Sequence, residues 1–279
     1  MTAFGKALPR LAELVPGVRR LVAPNPSLMT GPGTNTYLLG AAEITVLDPG
    51  PALPEHVDAI IAAAGAPIRQ IVVTHTHPDH SPATRLLAER TGAVRIGLPA
   101  PTGRHQDRTF RPDREPADGA QIAVGHDRLE AVHTPGHASN HVCYRHTGLD
   151  WLFTGDHVIE GSTVVIDPPD GNMQAYLDSL ARCRDLDCAL LAPGHGDLIR
   201  EPRRVIDWII AHRLERETKV LEALRRHPDR SAADLVPKVY ADVAAHLFPV
   251  AERSLLAHLE KLAGEGRARQ HDDGRWRPA

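Results

Sequence analysis

Four side chains able to bind a metal fall within six residues at His75-Thr76-His77-Pro78-Asp79-His80. Imidazole nitrogens and carboxylate oxygens are ligands that zinc accepts. The run follows Gln70-Ile71-Val72-Val73-Thr74, which reads as a buried strand. It precedes Ser81-Pro82-Ala83-Thr84, which reads as a helix start with Ser81 as cap and Pro82 in the first turn. An extended loop sends His75 and His77 to the same side, as alternation in a strand does. Asp79 and His80 then turn toward a second point. One metal is expected on His75 and His77, and another on Asp79 and His80. The chain has 17 His, but three of them with an Asp in this order at a strand end is a specific arrangement.

A hydrolytic zinc site takes about three protein ligands plus water, so further ligands must come from elsewhere. Thr134-Pro135-Gly136-His137 follows an apolar strand from Leu129 to His133. Phe153-Thr154-Gly155-Asp156 follows a strand at Trp151-Leu152, and Pro193-Gly194-His195-Gly196 follows Ala189-Leu190-Leu191. Each is a strand, a Gly turn and a metal-capable residue, and Gly lets the backbone turn sharply there. Each alone is also compatible with an ordinary polar turn. Together they place every candidate ligand at the carboxyl end of a strand.

The set His75-X-His77-X-Asp79-His80, His137, Asp156 and His195 resembles the metallo-β-lactamase superfamily of hydrolases over roughly residues 15 to 200. The resemblance implies an α/β fold, the αββα sandwich, with the site at one sheet edge. It implies two divalent metal ions. His75, His77 and His137 would hold the first, Asp79, His80 and His195 the second, and Asp156 would bridge them. It also places Asp48, in Asp48-Pro49-Gly50, beneath the metal loop as a partner that orients a ligand; as a residue, Asp48 reads equally as a turn former.

The elements that must position these residues are legible in outline. Val18 to Val22 reads as a first strand, and Thr34 to Leu39 with Ile44 to Leu47 as a strand pair. Glu55 to Ala64 and Ser81 to Arg90 read as helices. Ser162 to Ile166 reads as a strand. Asn172 to Leu186 reads as a helix with Tyr176 and Leu180 on one face, delivering the chain to the His195 strand. Tyr176 joins Asn140 and His141, just after His137, as residues that support the site or meet substrate; His141 would orient a ligand or give a proton to a leaving group. Residues 100 to 119 lack periodicity and carry Arg104, Arg108, Arg111 and Arg114, a solvated loop or a flap that meets an anionic substrate.

Two domains are expected, 1–204 for the hydrolase and 205–279 for a small winged-helix-like unit. Ile206, Ile210, Leu214, Leu221 and Leu224 mark a long helix, Ser231 to Asp234 a capping box, and Ala251 to Ala263 a third helix. Asp273-Gly274 between short runs signals a hairpin. Residues 205–279 hold 13 Lys/Arg and 12 Asp/Glu, a balance of +1, against −4 for the rest. Duplex readers depend on phosphate neutralisation, so this tail is expected to shape the substrate pocket and not to bind duplex DNA. The appended module, with Gly33-Thr34-Asn35-Thr36-Tyr37, resembles the beta-lactamase-like protein 2 group. That likeness implies single-stranded RNA cleavage or, in related bacterial and fungal proteins, thioester hydrolysis.

The 279 residues are 42% hydrophobic and 4% aromatic, with a net charge of −3, which marks no whole-chain nucleic-acid binder. Cys143, Cys183 and Cys188 lack ligand-like spacing and read as reduced thiols in a cytoplasm. Met1 to Arg20 has no apolar core of signal-peptide length, and no run approaches a membrane span. The expected chemistry is hydrolysis by a hydroxide shared between two zinc ions, with Asp79 holding one metal and orienting the nucleophile. His and Asp ligands suit iron and manganese as well. A small ester or thioester is the first substrate class and single-stranded RNA the second. A non-enzymatic nucleic-acid binder is the third reading, disfavoured by the complete ligand set.

Overall fold

The computed structural model describes residues 8–279. The expectation about a leader rests partly on residues 1–7, which lie outside the described residues. In chain order the elements are β1 (Leu11–Val15), β2 (Val18–Val22), β3 (Asn35–Leu39), β4 (Ile44–Leu47), α1 (Pro54–Ala64), β5 (Ile68–Val72), α2 (Ala83–Thr91) and β6 (Val94–Ile96). Then come β7 (Gln121–Val124), β8 (Asp127–His133), β9 (Val142–His146), β10 (Trp151–Gly155), α3 (Met173–Asp185) and β11 (Leu190–Pro193). The chain ends with α4 (Pro202–Arg226), α5 (Ala232–Val239), α6 (Phe248–Gly264), β12 (Ala268–Gln270) and β13 (Trp276–Pro278).

These form two compact units. The first comprises Met1–Thr134, Asn140–Val164 and Leu186–Pro202; the second comprises Pro135–Ser139, Val165–Asp185 and Arg203–Ala279. Within the first unit, one sheet has the order β1-β2-β3-β4-β5-β6 and the other β11-β10-β9-β8-β7. Strands β1 to β4 run antiparallel, and β4, β5 and β6 run parallel. Parallel strands need crossovers, which α1 and α2 supply. Strands covered on both faces should be apolar throughout, and β4 is buried at all four residues.

The two sheets share a core of Tyr37, Leu39, Leu47 and Val72 from one and Leu129, Val142, Tyr144 and Phe153 from the other. On its other face the first sheet buries Leu38, Val46 and Ile71 with Val57 and Ile60 of α1 and Leu87 of α2. The α/β class expected from the sequence is therefore what the chain forms.

In the second unit Val220 and Leu224 of α4, Leu235 of α5, Leu255, Leu259 and Leu262 of α6 and Trp276 of β13 make a separate core. Ser231 and Asp234 close the expected capping box at α5. Gly274, with φ 81°, turns the β12–β13 hairpin.

Three local expectations differ from the structure. Ser162 to Ile166 forms no strand: Val164 and Ile166 are buried, which produced the apolar alternation, but the Val165 carbonyl accepts from the His137 side chain instead of a strand neighbour. Ser81 does not cap α2. Pro82 is already helical there, and the Ser81 hydroxyl donates to Asp107 Oδ2 at 2.7 Å. The edge strand β1 was not anticipated, because Leu11 is exposed and the strand shows no clear alternation. Among the described residues, no helix is long and apolar enough to cross a membrane.

Candidate metal centre

Each candidate ligand stands just beyond the carboxyl end of a strand: His75 after β5, His137 after β8, Asp156 after β10 and His195 after β11. Ligand atoms of His75, His77, His137 and Asp156 all lie within 4.8 Å of one another, and so do those of Asp79, His80 and His195. All seven residues picked from the sequence therefore gather into two groups.

The groups meet at Asp156. Its Oδ1 lies 3.3 Å from His80 Nε2 and 3.2 Å from His195 Nε2. Asp79 Oδ2 lies at the same two distances, 3.3 and 3.2 Å, from the same two nitrogens. A regular tetrahedron with edges near these lengths has its centre about 2.0 Å from each corner, the distance of zinc from nitrogen and oxygen ligands. His80 Nε2 is buried, and among the described residues it makes no hydrogen bond of normal geometry. The donor set and its spacing therefore fit a divalent cation.

Charge agrees with geometry. Burial disfavours protonated His80 and His195, yet the carboxylates around them override it. His80 is held well above the ordinary imidazole value by Asp79, Asp156 and Asp48, and His195 is raised to about 10 by Asp156 and Asp79. Burial likewise opposes ionisation of Asp79 and Asp156, but His80 and His195 hold both well below the usual carboxylate range. Clustered carboxylates that draw protons onto imidazoles would draw a metal cation in the same way.

In the rings of His75, His80, His137 and His195 the other nitrogen has its own partner, the arrangement that fixes which nitrogen faces a metal. His80 Nδ1 lies 2.9 Å from Asp48 Oδ2, His75 Nδ1 3.0 Å from Thr74 Oγ1, and His137 Nδ1 2.8 Å from the Val165 carbonyl. His195 Nδ1 faces the Gly33 carbonyl at 3.4 Å. Asp48 thus sits under the metal loop. Its Oδ1 accepts from the Thr74 amide and its Oδ2 from the Thr74 hydroxyl, each at 2.7 Å. The site's open side lies at Asp79, whose side chain is 22% exposed, whereas His80 is fully buried.

The supporting candidates take definite places. His141 supports Asp156. Its Nε2 accepts from the Asp156 amide at 3.2 Å and its Nδ1 faces Thr134 Oγ1 at 2.9 Å, so both nitrogens are engaged and the ring holds Asp156. Asn140 donates to Thr76 Oγ1 at 2.8 Å and to the Pro99 carbonyl at 3.1 Å, bracing the metal loop from behind. Tyr176 is fully buried, and its backbone approaches Gly136 so closely that a Cβ there would lie 2.3 Å from the Tyr176 Cα. Gly194 is equally constrained, since a Cβ would come within 2.8 Å of His80 and 2.9 Å of Asp156 Oδ1. Arg104, Arg108, Arg111 and Arg114 are all exposed.

Three supporting residues were not assigned roles from the sequence. Thr34 Oγ1 donates to Asp79 Oδ2 at 2.9 Å. Asn35 Nδ2 donates to the Pro193 and Gly196 carbonyls at 2.9 Å, and the Tyr37 hydroxyl donates to the Pro193 carbonyl at 2.8 Å, so both hold the His195 loop. The signal that could have found them is polar side chains in the fully buried strand, or at Thr34 immediately before it, where they need partners.

The sequence pattern of the metallo-beta-lactamase superfamily matches residues 29–195, and that of the beta-lactamase associated winged helix domain matches residues 231–276. A beta-lactamase-like protein 2 homolog of Drosophila melanogaster is 31% identical over 94% of this chain and 93% of its own length. An atrochrysone carboxyl ACP thioesterase of Aspergillus chevalieri is 30% identical over 92% of this chain and 84% of its own. The crystal structure of a metallo-beta-lactamase family protein from Thermus thermophilus superposes with a TM-score of 0.81 at 23% identity, covering 96% of this chain and all of that one. The chain belongs to the metallo-beta-lactamase superfamily, as a metal-dependent hydrolase with a C-terminal winged-helix domain.

Proposed function

We propose that the protein is a dinuclear hydrolase of an ester or thioester. The observation that carries this reading is Asp156, a member of the first ligand group whose Oδ1 lies 3.3 and 3.2 Å from two imidazoles of the second. His75, His77 and His137 would hold one metal, Asp79, His80 and His195 the other, and Asp156 both. Zinc suits these ligands, as do iron and manganese. Bound there, the metals supply Lewis acidity toward the scissile carbonyl and lower the pKa of water toward ~7.

The chain's own residues do the positioning. Asp79, partly exposed and held by Thr34, orients the nucleophile on the open side of the site. Asp48 fixes His80, His141 fixes Asp156, and Asn35 and Tyr37 fix the loop that carries His195. The thioesterase named among the relatives favours a small acyl thioester as substrate. Hydrolysis is assigned to 1–204 and substrate shaping to 205–279. A cytoplasmic location is favoured by three buried cysteines, with no disulfide among the described residues.

A second reading, single-strand-specific endoribonuclease activity, is favoured by the exposed Arg104 and Arg108, which have no ion-pair partner among the described residues. Turnover of an acyl thioester against a labelled RNA strand, in one metal-loaded preparation, separates the two. Thioester hydrolysis without RNA cleavage is expected; the reverse would replace the first reading with the second. Salt-sensitive duplex binding without turnover of either would support a non-enzymatic binder.

A further inference from the structure

The turn that carries His137 is gripped by one segment, residues 165–172. The Val165 carbonyl accepts from His137 Nδ1 at 2.8 Å, the Asn172 amide donates to the Gly136 carbonyl at 2.8 Å, and Asp170 Oδ1 accepts from the Ser139 hydroxyl at 2.5 Å. This segment belongs to no sheet and no helix. It is stiffened internally where the Gly171 amide donates to the Asp167 carbonyl at 2.9 Å. A side chain from far along the chain reaches it: Arg253 of α6 places Nη2 2.6 Å from Asp167 Oδ2. The two side chains are 32% and 23% exposed, so the pair is shielded from much of the screening that weakens surface ion pairs.

We infer that Arg253 is a positioning residue for the metal held by His75, His77 and His137, acting through Asp167 and the Val165 carbonyl. The winged-helix domain is thereby part of the apparatus that sets a metal ligand. Without the Arg253 ion pair, Asp167 loses its anchor two residues from the carbonyl that orients His137. A ring whose partner drifts presents its metal-facing nitrogen less well. The inference rests on the assignment of His137 as a ligand.

The test uses full-length protein, with zinc affinity measured by chelator competition and ligand geometry by the absorption spectrum of the cobalt-substituted form. Arg253→Gln is expected to keep its circular dichroism and to weaken one of the two metal-binding steps by about tenfold. That is the low end of the 10–100-fold range seen when a direct partner of a ligand is removed. Arg253→Lys should restore most of the loss, Asp167→Asn should reproduce it, and the double variant should be no worse than either single one. Arg267→Gln, which breaks the ion pairs to Glu217 and Glu265 in the same module, should leave metal affinity unchanged. Wild-type affinities and cobalt spectra in both Arg253→Gln and Asp167→Asn would overturn the inference. So would an equal loss in Arg267→Gln, because that would be general loosening of the module. If Arg253→Gln fails to fold, Asp167→Asn decides the matter by the same readouts. His137→Ala tells the two failures apart: if it leaves metal binding intact, the ligand assignment falls, and if it alone weakens binding, only the role of Arg253 falls.

Discussion

Thr34 Oγ1 donates a hydrogen bond of 2.9 Å to Asp79 Oδ2, the carboxylate oxygen that also lies 3.3 Å from His80 Nε2 and 3.2 Å from His195 Nε2. Thr34 itself is fully buried, and its amide is held by Asn25 Oδ1 at 2.9 Å. The hydroxyl therefore has a fixed direction, and it fixes Asp79 in turn.

Thr34→Val keeps the shape and removes that donor. A hydrogen bond to a charged group contributes about 1.5–3 kcal/mol, so kcat/KM should fall by roughly ten- to a hundredfold. Asp79→Asn should go further and nearly abolish turnover in a folded protein, because it removes the negative charge as well. Steady-state kinetics with circular dichroism checks both. Near-normal turnover by well-folded Asp79→Asn would remove Asp79 from the proposed role.

The ligands were legible because their types and local spacing carry the information. Within six residues the order His, His, Asp, His states the chemistry, and Gly turns after apolar runs locate the remaining three. Of their supports, Asn140 and His141 were legible from their place just after His137, while the sequence at Asp48, whose φ is 50°, signalled only a turn and the resemblance supplied its role. Thr34 and Asp79 are 45 residues apart, and Asn35 and Pro193 are 158 apart. Such pairings depend on how β3 and β11 are placed, which no local pattern encodes. Ser162 to Ile166 misled for a related reason: buried alternation describes any extended segment that is covered, whether or not a strand pairs with it.

Acid should loosen the floor beneath Asp48. Burial and the charge of Arg10 hold His56 down to about 4, against the opposing pull of Glu55. Its Nε2 lies 3.1 Å from Thr36 Oγ1, and that hydroxyl donates to the Asp48 carbonyl at 2.7 Å. The folded value lies below the unfolded one near 6.5, so the unfolded chain takes the proton first. Stability from this group is intact above pH 6.5 and is lost as the pH falls toward 4. Thermal melts of metal-free protein should fall less steeply between pH 6.5 and 4.5 for His56→Gln than for the wild type. Parallel curves would contradict the assignment.

The tail should not bind duplex DNA. Its cations are largely spent internally: Arg253 pairs with Asp167, Lys261 and Arg267 with Glu217 and Glu265, and Arg275 with Asp273. Arg269 and Arg277 face each other across the hairpin with no ion-pair partner among the described residues. Those two alone give a slope of log affinity against log salt of at most about −2, and with Arg225, Arg230 and Lys238, which are exposed and also lack an ion-pair partner among the described residues, at most about −4.5, since each phosphate contact contributes about −0.9. A steep slope with sequence-dependent binding would revive the nucleic-acid reading. Truncation at 205, the obvious way to isolate the hydrolase, also removes Arg253, so it is expected to weaken metal binding as well as substrate shaping.

Metal content tests the central claim most directly. Full-length protein, loaded with zinc and freed of excess, should hold two metals per chain by elemental analysis. His80→Ala and His195→Ala should each reduce that toward one while circular dichroism stays unchanged. A single tight metal in the wild type, with occupancy unaffected by either substitution, would contradict the dinuclear account.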